Sequence, residues 1–356
     1  MITWENYKYE LTNLATNITY WDELEHSSIM VTGSTGLIGS YLVDLLCCNN
    51  ILNQANCVVY PVSRSLAKLR ARFPDFIGQP WFRPVIQDVS TFCGEGIQAD
   101  YIINGASNAH PLLYAEDPVG TITTNVFGTY QMLRYAQSNH VRRMIQLSSV
   151  EIYGESQNET EQFNETYCGR LGCSTARDGY PESKRVSETL CLAFSQAYGT
   201  DVVIARPCRL YGPTMDMSDS KATAQFIKKA LLGEDIILKS DGQQKFSYAY
   251  VADVVTALIV LLFQGKSGEA YNISDRSSAI KLKDLAELVA SISGTKVVFD
   301  RPNKMECQGF SGAKSAILDS TKLEQLGWHA QTHLRDGIEK TIATLKKSVN
   351  VELTFA

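Results

Sequence analysis

The chain has 356 residues, room for one to three domains of ordinary size, and 44% hydrophobic with 20% charged residues is the composition of a folded globular protein. Thirty-three Lys and Arg against 38 Asp and Glu give a net charge of −5 without a basic stripe to neutralise a phosphate backbone, which argues against a nucleic acid polymer as partner. No apolar run reaches the roughly 18–20 residues of a membrane span; the longest, 254–263, is interrupted by Thr256 and reads as a buried helix.

Residues 1–27 lack a basic head with an apolar centre and carry Glu5, Glu10, Asp22, Glu23 and Glu25, so they read as an extension with an amphipathic helix over Tyr9–Glu25 rather than an export signal. From residue 28 onward, apolar runs of strand length alternate with helix-length segments. The runs are Ile29–Thr32, Cys57–Val62, Tyr101–Ile103, Met144–Leu147 and Val202–Ala205; the crossover helices are predicted at Leu37–Cys48, Thr121–Asn139 and Pro181–Tyr198. Strands without polar alternation are covered on both faces, the pattern of a doubly wound parallel α/β sheet. Beyond 206 the pattern is less regular, with Gly212-Pro213 and helices near Thr223–Leu232, Lys283–Ser293 and Leu334–Lys346. The expected organisation is an extension over 1–27, a dinucleotide-binding domain over 28–206 and a smaller, mainly substrate-binding α/β lobe over 207–356, with exchange of a strand or helix back to the first domain left open. A cleft between two such lobes, at the strand C-terminal ends, is the natural site. The nine cysteines are odd in number and form no C-x-x-C, which fits reduced thiols in a cytoplasm and no bound metal.

The first strand runs into Gly33-Ser34-Thr35-Gly36-Leu37-Ile38-Gly39, and a helix follows at once. A dinucleotide pyrophosphate needs this arrangement, because glycine permits a tight turn and the helix N-terminus offers free N–H groups to an anion. The second strand ends in Ser63-Arg64 without a carboxylate, which leans toward NADP over NAD, although Arg64 also fits a solvated surface position. Asp88, followed by Val89, is placed to meet the adenine edge. Tyr180 is the only tyrosine with a lysine four residues on, Lys184, so the two share a helix face. An ammonium beside the phenol, together with an oxidised nicotinamide, would lower its proton affinity and let it exchange a proton with a sugar hydroxyl. Ser149 ends a predicted core strand, where its hydroxyl faces the cleft.

With Thr32–Gly39, Gly105-Ala106-Ser107, Thr124-Asn125, Ser148–Gly154, Tyr180–Lys184, Arg206, Tyr211-Gly212-Pro213, Tyr250–Asp253 and Leu326-Gly327-Trp328 in order, residues 28–347 resemble the extended short-chain dehydrogenase/reductases. Within that family the chain is most similar in texture to the nucleotide-sugar epimerase/dehydratase group and its UDP-glucuronate decarboxylases, through Pro111, Tyr114, Arg177 and 184–189. The resemblance implies a Rossmann-like domain and a transient 4-keto sugar, with Tyr180 as base, Ser149 as its hydrogen-bonding partner, Lys184 beside it and Glu151 as a site carboxylate. It implies Ala106, Ser107, Asn125 and Arg206 as further cofactor contacts, and Asn108, His110 and Arg177 are candidate contacts to the substrate. It also implies a homodimer formed through a four-helix bundle.

The departures are informative. Val150 stands where dehydratases of the family have an acid and decarboxylases a serine, which disfavours a 4,6-dehydratase. Arg209 replaces an expected asparagine, while Phe246 and Ala316 occupy positions where the family has arginines. Either the charge is relocated, with Arg209 and Lys245 or Lys314 holding the diphosphate, or the substrate is not an ordinary nucleotide sugar. The first expectation is therefore an NAD(P)-dependent enzyme that epimerises a nucleotide-diphosphate sugar or related activated polyol, and the second is decarboxylation. Dehydration, an NADPH-consuming reductase and a non-enzymatic dinucleotide-sensing scaffold stand behind these.

Overall fold

The structure is a computed structural model that describes residues 2–18, 20–109, 114, 116–156, 162–300 and 313–354, with side chains to 348. Its centre is a seven-stranded parallel sheet in the order β12-β7-β5-β4-β1-β2-β3. These strands are β1 (Ser28–Thr32), β2 (Val58–Ser63), β3 (Val85–Ile86), β4 (Tyr101–Asn104), β5 (Arg143–Leu147), β7 (Val202–Pro207) and β12 (Ala270–Ile273). Residues from Ile29 to Thr32 and all of β4 are buried, as the unbroken apolar runs require of a sheet covered on both faces. The chain crosses between strands through helices that include α3 (Leu37–Asn53), α4 (Leu66–Arg72), α5 (Pro118–Ser138) and α6 (Gly179–Tyr198). The seventh strand comes from beyond 206, with Tyr271 opposite Ala205, so the sheet itself crosses that boundary.

The smaller C-terminal part packs at the strand C-terminal ends. A four-stranded sheet, β13-β10-β15-β6, joins Ile280–Lys281, Lys245–Phe246 and Ser315–Leu318 to β6 (Gln162–Phe163), which the first part contributes. Arg209–Tyr211 (β8) pairs with Tyr248–Tyr250 (β11) in a second small sheet. The apolar run around 254–263 forms the helix Val251–Gln264, almost wholly buried. Among the described residues no helix is long and apolar enough to cross a membrane.

The N-terminal segment departs from expectation. Instead of one helix over Tyr9–Glu25 there are two, α1 (Lys8–Asn17) and α2 (Trp21–Leu24). Ile18 turns to an extended conformation, and the chain doubles back so that the Trp21 indole N–H donates to the Ala15 carbonyl at 2.6 Å. Leu11 and Leu24 are thereby both fully buried. The segment covers α3, and as a result every residue from Gly39 to Asn50 is buried, an all-round burial that the sheet alone cannot give a helix.

Within this layer, Asp44 of α3 is ion-paired to Arg72 of α4 and accepts a hydrogen bond from the Tyr7 hydroxyl, while Arg72 donates to the same hydroxyl at 2.9 Å. Tyr7 also stacks on Tyr41, with ring centroids 5.2 Å apart. Removing one member leaves an unpaired buried charge, so Asp44→Ala is expected to destabilise the fold by about 3–5 kcal/mol. Replacing Asp44 and Arg72 together by apolar residues of similar size should cost much less, and urea unfolding of the single and double variants measures the difference.

Candidate active site

Gly33 opens the turn after β1 in the left-handed region, at φ +66°. A Cβ there would lie 2.6 Å from the Gly105 carbonyl oxygen, so only glycine lets the ends of β1 and β4 come this close. At Gly39 a Cβ would overlap the Gly33 carbonyl, whereas Gly36, the N-cap of α3, is exposed. Ser34 is spent on structure, its hydroxyl donating to the Val62 carbonyl at 2.9 Å. Thr35, Leu37 and Ile38 are half-buried around the start of α3, whose first N–H groups have no intrahelical acceptor. The loop thus fits a dinucleotide pyrophosphate: tight backbone, exposed glycine cap and free donors. Thr214, which sequence reasoning did not single out, donates to the Leu37 carbonyl at 2.8 Å and ties the C-terminal part to this loop.

Around the loop, Ser63 is held to the Ser65 backbone and Arg64 is three-quarters exposed, 3.9 Å from the Asp88 carboxylate. Hydrogen bonds from the Ser90 hydroxyl and N–H hold the Asp88 carboxyl below its ordinary proton affinity. Val89 packs on Gly128, where a Cβ would approach to 2.8 Å. Ala106 accepts no side-chain partner, but its N–H donates to Thr32 Oγ1 at 3.1 Å, and the Ser107 hydroxyl donates to the Asn108 carbonyl. Asn125 donates to Ser183 Oγ, and its Oδ1 is buried without a partner, an acceptor left for a group outside the described chain. Asn108 turns its amide to Thr121 at the start of α5 at 3.0 Å, so that donor serves the loop. His110 and Pro111 lie outside the described residues.

The three expected catalytic side chains converge. Ser149 follows β5 and caps a short turn, accepting from the Glu151 N–H at 3.2 Å, and its hydroxyl is hydrogen-bonded to Tyr180. Tyr114 forms a second such bond and stacks on the Tyr180 ring with centroids 4.4 Å apart. No spacing signal could have supplied Tyr114, since it reaches Tyr180 only through the fold. Burial, then the nearby Glu151 charge, push the Tyr180 phenol up to about 12, against the pull of Ser149, Tyr114 and Arg177. Lys184 differs from expectation: its ammonium donates to the Leu147 carbonyl at 2.9 Å and sits 5.9 Å from the Tyr180 ring centroid. Burial lowers it to about 8.

Beside this set, Glu151 forms an ion pair with Arg177 at 3.2 Å. The pair lines a cavity of about 90 Å³ that also takes in Val150, Arg170, Arg209 and Ala316. Two expectations are corrected here. Arg206 is bound bidentately to Glu188, at 2.9 and 2.6 Å, and donates to the Tyr153 hydroxyl and the Glu165 carbonyl; it braces α6 against β7 with its donors already engaged. Lys245 does not line the cavity, because successive side chains on a strand alternate and its neighbour Phe246 takes the buried side. Among the described residues no group of three His, Cys, Asp or Glu converges to hold a metal.

A UDP-glucuronic acid decarboxylase 3 of Arabidopsis thaliana is 31% identical over 324 residues, 91% of this chain and 90% of that protein. UDP-glucose 4-epimerase of Thermotoga maritima has the same fold with a TM-score of 0.76 at 24% identity, over 90% of this chain and 99% of the other. UDP-glucuronic acid 4-epimerase of Bacillus cereus, solved with UDP-glucuronic acid and NAD, superposes with a TM-score of 0.74 at 20% identity, again over 90% and 99%. The family model described as the NAD dependent epimerase/dehydratase family matches residues 29–274, which span the glycine loop, Ser149, Tyr180 and Lys184, and the chain belongs to that family.

Proposed function

We propose that this enzyme oxidises carbon 4 of a nucleotide-diphosphate-linked uronic acid and releases its carboxyl group as carbon dioxide. The observation that carries this is the placement of Ser149, Tyr180 and Lys184 beside a cavity lined by Glu151, Arg177 and Arg209, an arrangement that offers guanidinium groups to an anionic sugar substituent. The 31% identity to a protein named as a UDP-glucuronic acid decarboxylase moves decarboxylation ahead of the epimerisation expected first.

NAD or NADP, held at Gly33–Gly39 with Arg64, Asp88 and Asn125 around it, supplies the acceptor and later the donor of a hydride. Tyr180 accepts the proton of the 4-hydroxyl, Ser149 holds that oxygen, and Lys184 stands behind both. Oxidation at carbon 4 makes the substrate a β-keto acid. Its carboxyl group leaves as carbon dioxide, the bonding pair becomes an enolate, and a proton adds at carbon 5 before carbon 4 is reduced again.

Epimerisation at carbon 4 is the second reading, favoured by Val150 and Ala316, which place no hydroxyl or guanidinium of their own in the cavity. Incubation of the purified protein with UDP-glucuronic acid, with and without added NADPH, separates the readings by product mass together with chromatographic resolution of isomers from the substrate. Loss of carbon dioxide is the expected result; an isomer of unchanged mass means epimerisation, loss of water dehydration, and turnover only with stoichiometric NADPH a reductase. Mass spectrometry of dinucleotide released on denaturation decides between NAD and NADP, the latter making Arg64 the ribose-phosphate contact.

Three further expectations belong to this reading. Tyr180→Phe should lower turnover at least ~100-fold, the usual range for loss of a positioned general base, with the melting temperature little changed. Arg177 lowers the proton affinity of Tyr180, so Arg177→Gln should move the ascending limb of the pH–rate profile to higher pH; a limb that stays in place removes that coupling. We also propose a homodimer through α5 and α6, which expose Val119, Phe127, Tyr130 and Val186; Phe127→Glu should convert it to a monomer in light scattering. Cys47, Cys48, Cys57, Cys93, Cys168, Cys173, Cys191 and Cys208 are free thiols, which supports a reducing, cytoplasmic setting, and Cys307 lies outside the described residues.

A further inference from the structure

Arg209 brings to the cavity of the proposed substrate site a charge that no ion pair of the described residues neutralises. It begins β8, and its guanidinium lies over the Phe246 ring, 3.6 Å from the centroid. The ring orients the side chain and favours its charge, yet offers no acceptor to the N–H groups. Arg209 Nε is buried with no hydrogen-bond partner, and among the described residues no carboxylate forms an ion pair with it. Arg177 repeats the pattern in the lining of the same cavity: its Nη2 is bound to Glu151, while its own Nε is buried and unpartnered among the described residues.

A guanidinium donor withdrawn from water and left without an acceptor is unfavourable, and native structures rarely keep one unless something completes it. Here two such donors, carried by different elements, line one cavity. Glu151 is paired with Arg177 through Nη2 and forms no ion pair with Arg209. The small side chains of Ala313 and Ala316, with Gly154, leave the space between them open. The about 90 Å³ so created admits several waters or one small anionic group.

We infer that Arg209 and Arg177 form a two-guanidinium clamp for an anionic group of the substrate, a carboxylate or a phosphate, that enters the cavity between Glu151 and Ala316. Paired oxygens on such a group match the planar fork of a guanidinium, which an ammonium does not reproduce. The inference rests on the nucleotide-sugar reading and makes it more specific: Arg209 takes up the anion at a place where neither residue 246 nor residue 316 carries charge.

The test is calorimetric titration of the full-length protein and of Arg209→Gln and Arg209→Lys with UDP, UDP-glucose and UDP-glucuronic acid. Loss of charge-assisted hydrogen bonds is expected to raise Kd about 10–100-fold in Arg209→Gln, with partial rescue in Arg209→Lys. Equal weakening of all three ligands assigns the clamp to the diphosphate; weakening of UDP-glucuronic acid alone assigns it to the carboxylate. Unchanged Kd for all three overturns the clamp and leaves the substrate reading standing if the wild-type protein still turns over UDP-glucuronic acid. Should the wild type bind none of the three, inorganic pyrophosphate decides: stabilisation that depends on Arg209 keeps the clamp and removes the substrate reading, and stabilisation that does not removes both. Arg177→Gln, titrated in the same way, gives an independent reading where Arg209→Gln fails to fold.

Discussion

The site depends on a run of buried hydrogen bonds that crosses the strand ends. Thr32 Oγ1 donates to Asn104 Oδ1 at 2.6 Å and accepts from the N–H groups of Gly105 and Ala106, while the Asn104 amide donates to Gln146 Oε1 at 2.7 Å. The Gln146 amide donates in turn to the Leu147 carbonyl at 3.1 Å, the same oxygen that receives Lys184. One connected network therefore fixes the glycine turn after β1, the turn after β4 and Lys184 relative to one another. Every buried donor in such a network needs its partner, so a shift at one strand end carries a penalty at the next. The close approach of Gly33 to Gly105 and the position of Lys184 are two consequences of the same constraint.

On the other side of Tyr180 the design is electrostatic. The phenol is buried, which opposes its ionisation, and Glu151 opposes it further. Arg177 acts in the opposite sense while holding Glu151, and Ser149 and Tyr114 supply hydrogen bonds to the oxygen. Burial has also lowered the proton affinity of Lys184. In the free protein the phenol therefore stays protonated at neutral pH, and the Lys184 ammonium gives up its proton more readily than an exposed lysine. A positively charged group brought over the Tyr180 oxygen acts on a site where little water screens it, so its effect on the phenol is large.

Much of the fold was legible in the sequence because its cause is local. Strands buried on both faces must be apolar without alternation, and Gly33 and Gly39 are where side chains cannot fit; both facts are written residue by residue. The convergence of Ser149, Tyr180 and Lys184 was legible through spacing and order, Tyr180 and Lys184 sharing a helix face and Ser149 following a core strand. What escaped depends on residues far apart in the chain. Arg206 reads as a free cation at a strand end until Glu188 of α6 is placed against it, Tyr114 gains meaning only when it stacks on Tyr180, and Lys245 is removed from the cavity by the pleat of a two-residue strand. The helix over Tyr9–Glu25 failed for a related reason: apolar periodicity continues through Ile18, but the Trp21 indole takes the Ala15 carbonyl and the chain turns back.

That turned-back segment bears on the site as well as on stability. Its Tyr7 reaches Asp44 and Arg72 behind α3, and its Glu10 accepts from the Tyr250 hydroxyl at 2.9 Å, immediately before the helix Val251–Gln264. From the opposite end of α3, Thr214 holds the Leu37 carbonyl. The helix that follows the glycine loop is therefore bonded at its first turn to Thr214 and, through the N-terminal segment that holds Asp44, linked indirectly to Tyr250, both in the part that also supplies Arg209. Buried contacts thus join the glycine loop to the part of the chain that also contributes to the arginine-lined cavity.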